Sequence, residues 1–281
     1  MIIPAFEGLT LSKGHAAGSD YIIVPDLDAG RTIVGEDVAT LCARYTGMDA
    51  GGLMRISGRG PWRLEVWNDR GEQMVQPEAA SLLLAAHYLA ASLLSIDPVI
   101  TFETASGTRT VAMVTGGYCV SLPAPVIDPA AQERAFDRAV SVPGVDGDRA
   151  GLSAGSHVVV ALRQGGELLD AELAGIQIDP ADDRPVALVH PYGSDAVADI
   201  DGKRRRRNLA RVRALTNTIE ALGATAAALA AWAGPAISRL DIAGSQWEVR
   251  LLGDTVEVTG RPVLISEFML TGLAGEAMPG Q

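Results

Sequence analysis

Two segments of the chain, Ala79–Ala91 and Ala224–Ala233, read as helices that are apolar on nearly every side. A helix lying on the surface of a sheet keeps one polar face, so a helix without one must be enclosed. Each sits among short segments with strand patterning, at the same place in its half of the chain. The pattern predicts an α+β fold of two pseudo-symmetric domains, each a curled, mostly antiparallel sheet or barrel around one central apolar helix. Each helix then points its N-terminus at the cleft between the domains. Free N–H groups and the positive dipole end suit a small-molecule carboxylate there.

In the first half, strands are expected at Leu9–Ser12, Tyr21–Pro25, Gly52–Ile56, Leu64–Trp67, Val99–Thr104, Arg109–Val114 and Tyr118–Leu122, with a helix at Glu36–Tyr45. In the second half they are expected at His157–Leu162, Val186–His190, Leu209–Leu215, Ile237–Ile242, Gln246–Leu252 and Thr255–Arg261. Pro123-Ala124-Pro125 opens an acidic, proline-bearing stretch and marks a boundary. The expected domains are 1–123 and 124–262, with 263–281 packing back on the first.

Nearly half of the 281 residues are apolar (48%) and only 20% are charged, which calls for a packed core rather than disorder. The net charge of −11 repels phosphate backbones and argues against nucleic acid as a partner. The basic run Lys203–Arg207 reads as a solvated loop. The apolar stretch Ala79–Leu94 is interrupted by His87 and is short for a membrane span. No basic-then-apolar leader opens the sequence, and Cys42 and Cys119 make no disulfide framework. A soluble cytoplasmic protein without membrane association is expected; a homodimer is compatible with the sequence. No His/Cys/Asp/Glu spacing resembles a metal site and no glycine-rich fingerprint marks a dinucleotide site, so no cofactor is implied.

Several ordered motifs along almost the whole chain resemble diaminopimelate epimerase and its relatives. Lys13–Asp26 resembles the opening K-G-H-G-x-x-N-D-F-V-x-x-P-D, and Leu41–Leu53 resembles L-C-D-R-x-x-G-x-G-A-D-G-x. Trp67–Gly71 resembles R-N-A-D-G. Ser156-His157-Val158 stands where the family has N-P-H, and Gly223–Ala227 where it has C-G-T-G-A. The resemblance implies the two-domain fold; a fold is not yet an activity.

The departures carry the functional information. The family's M-C-G-N-G reads Met74-Val75-Gln76-Pro77-Glu78, so Val75 and Gly223 fall at the two thiol positions. The family's substrate-holding Glu-Arg pair aligns with Ala214-Leu215, and the Asn of N-D-F with Ser19. Cofactor-free racemisation needs an acid/base group on each face of the carbon, and this chain lacks the thiols that serve in the family. Cys42 and Cys119 read as small buried hydrophobes.

Phenazine-type isomerases of the same superfamily lack catalytic cysteines and shift a proton with a single carboxylate. Resemblance to them makes Asp49 and Glu220 candidate bases, and Glu78, which opens the first apolar helix, a third. By the same resemblance Asn68, Ser19, His15 and His157 are substrate-contact candidates. Thr225 and the backbone N–H groups near Ala224 and Ala226 would hold a carboxylate. Each has an ordinary reading: turn residue for Asp49 and Asn68, helix-entry acid for Glu78 and Glu220, hydrogen-bonded structural residue for His15 and His157. His87, within an apolar helix, reads as core. The expected function is a double-bond shift in a small unsaturated amino acid or carboxylate of secondary metabolism. The chain resembles in character the isomerases of 4-alkyl-L-proline units of antibiotics. The alternatives are a non-catalytic binding protein that kept the cleft, and a racemase using carboxylates.

Overall fold

The computed structural model describes residues 3–147, 149–198, 203–214, 218–234 and 237–270. In the first half, β1 (Thr10–Ala16) and β2 (Ser19–Pro25) form a hairpin, and helix α1 (Gly35–Cys42) leads to β3 (Gly52–Ser57) and β4 (Trp62–Asn68). Helix α2 (Ala79–Ala91) precedes β5 (Val99–Thr104), β6 (Gly107–Val114) and β7 (Gly117–Pro123). Helix α3 (Pro129–Arg134) and β8 (Arg138–Ser141) lead into the second half. There β9 (Arg149–Ala154) and β10 (His157–Ala161) form a hairpin, followed by α4 (Gly165–Asp170), β11 (Gln177–Asp179), β12 (Val186–Ala198) and β13 (Arg204–Arg213). Helix α5 (Thr218–Ala233) then precedes β14 (Ile237–Ile242), β15 (Ser245–Leu252), β16 (Thr255–Gly260) and β17 (Val263–Met269).

The pairing repeats between the halves. In the first, β1 and β2 are antiparallel, β2 and β3 parallel, β3 and β4 antiparallel, β4 and β5 parallel, and β5 to β7 antiparallel. In the second, β9, β10, β12, β13, β14, β15 and β16 follow the same sequence of directions. The long helices α2 and α5 occupy the same crossover, between the fourth and fifth strands. Antiparallel β7 and β16 join the halves. The last strand, β17, returns to pair with β1, while β8 flanks β9.

Both long helices are enclosed, as their apolar composition requires. Leu82, Leu83, Leu84 and Leu89 of α2 are buried, as are Ile219, Leu222 and Leu229 of α5. Each such side chain contributes roughly 1.5–3 kcal/mol as an upper bound. The two helices share one core. Smaller cores lie on the outer sheet faces, under α1 with Val38 and Leu41, and under α4 with Leu168. Strand alternation therefore sorts β2: Tyr21 and Ile23 face α2, whereas Ile22 and Val24 face outward.

Three expectations are corrected. The basic run is not a loop: Arg204–Arg207 begin β13, whose pairing with β12 satisfies the backbone. Arg207 is ion-paired to Asp195 and, at 3.0 Å, to Glu248. The second long helix begins at Thr218, two turns before Ala224. Strands β8, β9 and β11 and helices α3 and α4 had too little periodicity to be expected. Leu215 and residues 271–281 lie outside the described residues. No helix among the described residues is long and apolar enough to cross a membrane.

Candidate active site at the start of the two enclosed helices

Helix α2 begins directly after Glu78, whose extended backbone (φ −61°, ψ 148°) places it as N-cap without a cap bond from its own side chain. The carboxylate instead turns to β2, where Tyr21 Oη donates to Glu78 Oε2 at 3.1 Å and Ser19 Oγ lies 3.4 Å from it. Alternation explains the convergence, because residues 19 and 21 share the helix-facing side of the strand. Burial, followed by the Glu78 charge, pushes the Tyr21 phenol far above its ordinary value, so it acts as a neutral donor.

The second half reaches across. Glu220, in the first turn of α5, accepts the Ala79 N–H at 3.1 Å through Oε1, and so caps the other half's helix. Its Oε2 is shut off from solvent and accepts no hydrogen bond. Thr218 Oγ1 lies 3.0 Å from Ser19 Oγ, a second contact between the halves. Burial raises the Glu220 pKa; the Ala79 N–H opposes that and the nearby Glu78 charge adds to it. A carboxyl held above its ordinary range suits proton transfer near neutrality.

Of the sequence candidates, Ser19, Glu78 and Glu220 come together here. His157 opens β10, the position that Ser19 holds in β2, and is fully buried with Nδ1 3.0 Å from Ser156 Oγ. Asp49 lies elsewhere: it is exposed in a left-handed turn (φ 48°) and lines an outer depression with Asp20, Cys42 and Asp69. Asp20 follows Ser19 and so points to the opposite sheet face, which separates Asp49 from the two glutamates. His15 shares the outer-facing parity of Leu11 in β1. Asn68 serves its own turn, with Oδ1 accepting the Arg70 and Glu72 N–H groups at 3.0 and 2.9 Å. Ala224, Thr225 and Ala226 lie beyond the first turn of α5, where backbone N–H groups bond within the helix and cannot hold a ligand. Val75 is 71% exposed ahead of α2, and Gly223 packs in mid-helix near Val256 and Pro125.

Tyr21 and Thr218 were missed by sequence reasoning. The signal for Tyr21 was present: it stands at the phenylalanine of N-D-F, two residues from Ser19. Neither cysteine supplies a thiolate. Burial and then Asp69 push Cys42 up to about 12, and burial raises Cys119. Among the described residues, no group of three or more His, Cys, Asp or Glu could hold a metal ion.

A phenazine biosynthesis PhzC/PhzF protein from Clostridium difficile (strain 630) superposes with a TM-score of 0.62 at 13% identity, covering 93% of this chain and 99% of that one. The chain shares the fold of this phenazine-type protein. A predicted epimerase from Pseudomonas aeruginosa gives a TM-score of 0.54 at 15% identity, covering 94% and 99%. In sequence, diaminopimelate epimerase of Mycolicibacterium smegmatis is 27% identical over 123 residues. That match covers 37% of this chain and only 42% of the relative's length. No family model matches the chain.

Proposed function

We propose that the protein is a cofactor-independent isomerase that shifts a double bond in a small unsaturated amino acid or carboxylate, with Glu220 as the base. A 4-alkylproline precursor of a secondary-metabolite pathway is the substrate type most in keeping with the motif departures. The observation that supports this best is the meeting of Glu220 and Glu78 at the start of α2, in a chain whose two cysteines lie outside the resembling thiol motifs.

In the proposed step, Glu220 Oε2 takes a proton from a carbon next to the unsaturated system. The C–H electrons form the new double bond while the old one moves along. The resulting carboxyl returns the proton to the carbon two atoms away, on the same face. One base suffices, so neither lost thiol is needed. The Ala79 N–H fixes the carboxylate through Oε1 and leaves Oε2 for the transfer.

The test is NMR in deuterated water with a panel of dienyl and pyrroline carboxylates. Deuterium should enter at the terminus that receives the proton. Glu220→Gln should lower the rate by about 10²-fold or more. Thermal stabilisation by a ligand without exchange would instead identify a binding protein. Deuterium confined to an α-carbon would identify a racemase.

A further inference from the structure

The site holds two carboxylates, and among the described residues no cation is paired with either. Among the described residues, the Glu78 carboxylate accepts from the Tyr21 and Ser19 hydroxyls and the Glu220 carboxylate from the Ala79 N–H. Lys13 is on the other face of the sheet, 3.1 Å from Asp20 and 3.0 Å from the Met48 carbonyl. The Ala79 N–H, which would have greeted an anionic ligand at the helix start, is already taken by Glu220. A substrate carboxylate placed against Glu78 would meet like charge, with no compensating cation among the described residues. The orphaned Glu220 Oε2 also calls for a donor, because a buried acceptor left unsatisfied costs about 1–3 kcal/mol.

We infer that Glu78, fixed by the Tyr21 and Ser19 hydroxyls, is the binding site for a protonated nitrogen of the substrate, an ammonium or cyclic iminium beside the reacting carbon. This rests on the proposed isomerase reading and adds the substrate's chemical class. Oε2 of Glu78 receives the tyrosine and serine hydroxyls, and the cation would take the carboxylate's other oxygen. An iminium nitrogen held there acidifies the neighbouring C–H. In an iminium whose neighbouring C–H is also next to a C=C bond, removal of that proton by Glu220 turns the C–H pair into a C=C bond and returns the C=N pair to nitrogen, giving a neutral dienamine whose far terminus can take the proton. Reprotonation at a more remote carbon completes the shift, with no external oxidant or reductant. Tyr21 acts through Glu78 and is a positioning residue.

The experiment is isothermal titration of the full chain with pyrrolidine, a cation at neutral pH, and with cyclopentanecarboxylate, an anion of similar size. Pyrrolidine should bind more tightly. Its affinity should fall about tenfold or more in Glu78→Gln and by less in Tyr21→Phe, with unchanged circular dichroism in both. Tighter binding of cyclopentanecarboxylate, pyrrolidine affinity unaltered by Glu78→Gln, or binding of neither would each overturn the inference. Pyrrolidine binding without deuterium exchange on any unsaturated substrate would remove the isomerase reading and leave the cation site standing.

Discussion

The two halves of the molecule repeat one topology and treat their long helices differently. In the first half, the acid at the start of α2 is fixed by its own sheet, through Tyr21 and Ser19 of β2. In the second half, Glu220 of α5 leaves its own sheet and caps α2 across the junction. At the position of Ser19, the second half has the buried ring of His157. The symmetry thus builds two similar clefts' worth of framework, and side-chain chemistry makes them unequal. The first half holds a carboxylate in place by hydroxyls. The second supplies one whose buried second oxygen has no partner.

That inequality is open to test, and the largest effect is expected at Glu220. Glu220→Gln should cut turnover by about 10²-fold or more, whereas Asp49→Asn, on the outer face, should leave it within about twofold. Equal losses in steady-state kinetics would show that the sheet does not separate them as described. The next effect lies at the seam between the halves. A Cβ on Gly260 of β16 would come within 2.2 Å of Trp247 Cε3, and that ring is fully buried. Gly260→Ala should cost about 1–3 kcal/mol in chemical denaturation.

Glu220 also sets a pH dependence with a definite sign. Its folded pKa is raised, so the native state holds the proton more strongly than the unfolded chain. Its contribution to stability is complete below the ordinary glutamate value of about 4.3 and is lost as pH rises through the raised folded value. Glu220→Gln should therefore match the wild type in melting temperature near about pH 4 and exceed it near about pH 8. The smallest effect is expected from the thiols. Replacing Cys42 and Cys119 by alanine should leave turnover within about twofold, because burial keeps both protonated.

Much of the fold was legible from the chain. Ala79–Ala91, Val99–Thr104 and Ile237–Ile242 were readable to the residue, because continuous apolar runs and alternation are local properties. The start of α5 was not. Thr218-Ile219-Glu220 carries polar residues that read as a helix entry or a loop, and only packing against the first half draws them into the helix. The strands β8 and β9 were missed because alanine, serine and arginine give them little intrinsic preference, and β11 because it is three residues long with a partner remote in sequence. In the site, motif matching picked Glu78, Glu220 and Ser19 but also Asp49, His15 and Asn68, since a motif does not state which face of a strand a side chain takes.

The sequence by itself determined that two apolar helices had to be enclosed at corresponding places, and that neither cysteine falls in the segments resembling the epimerase thiol motifs. Both follow from residue type and order alone. Only the tertiary structure decided which acids meet. Glu78 and Glu220 are 142 positions apart in a chain of 281 residues, and nothing local links them. They are brought together because β7 pairs with β16, aligning the starts of α2 and α5, and because the first N–H of one helix needed an acceptor that the other could supply.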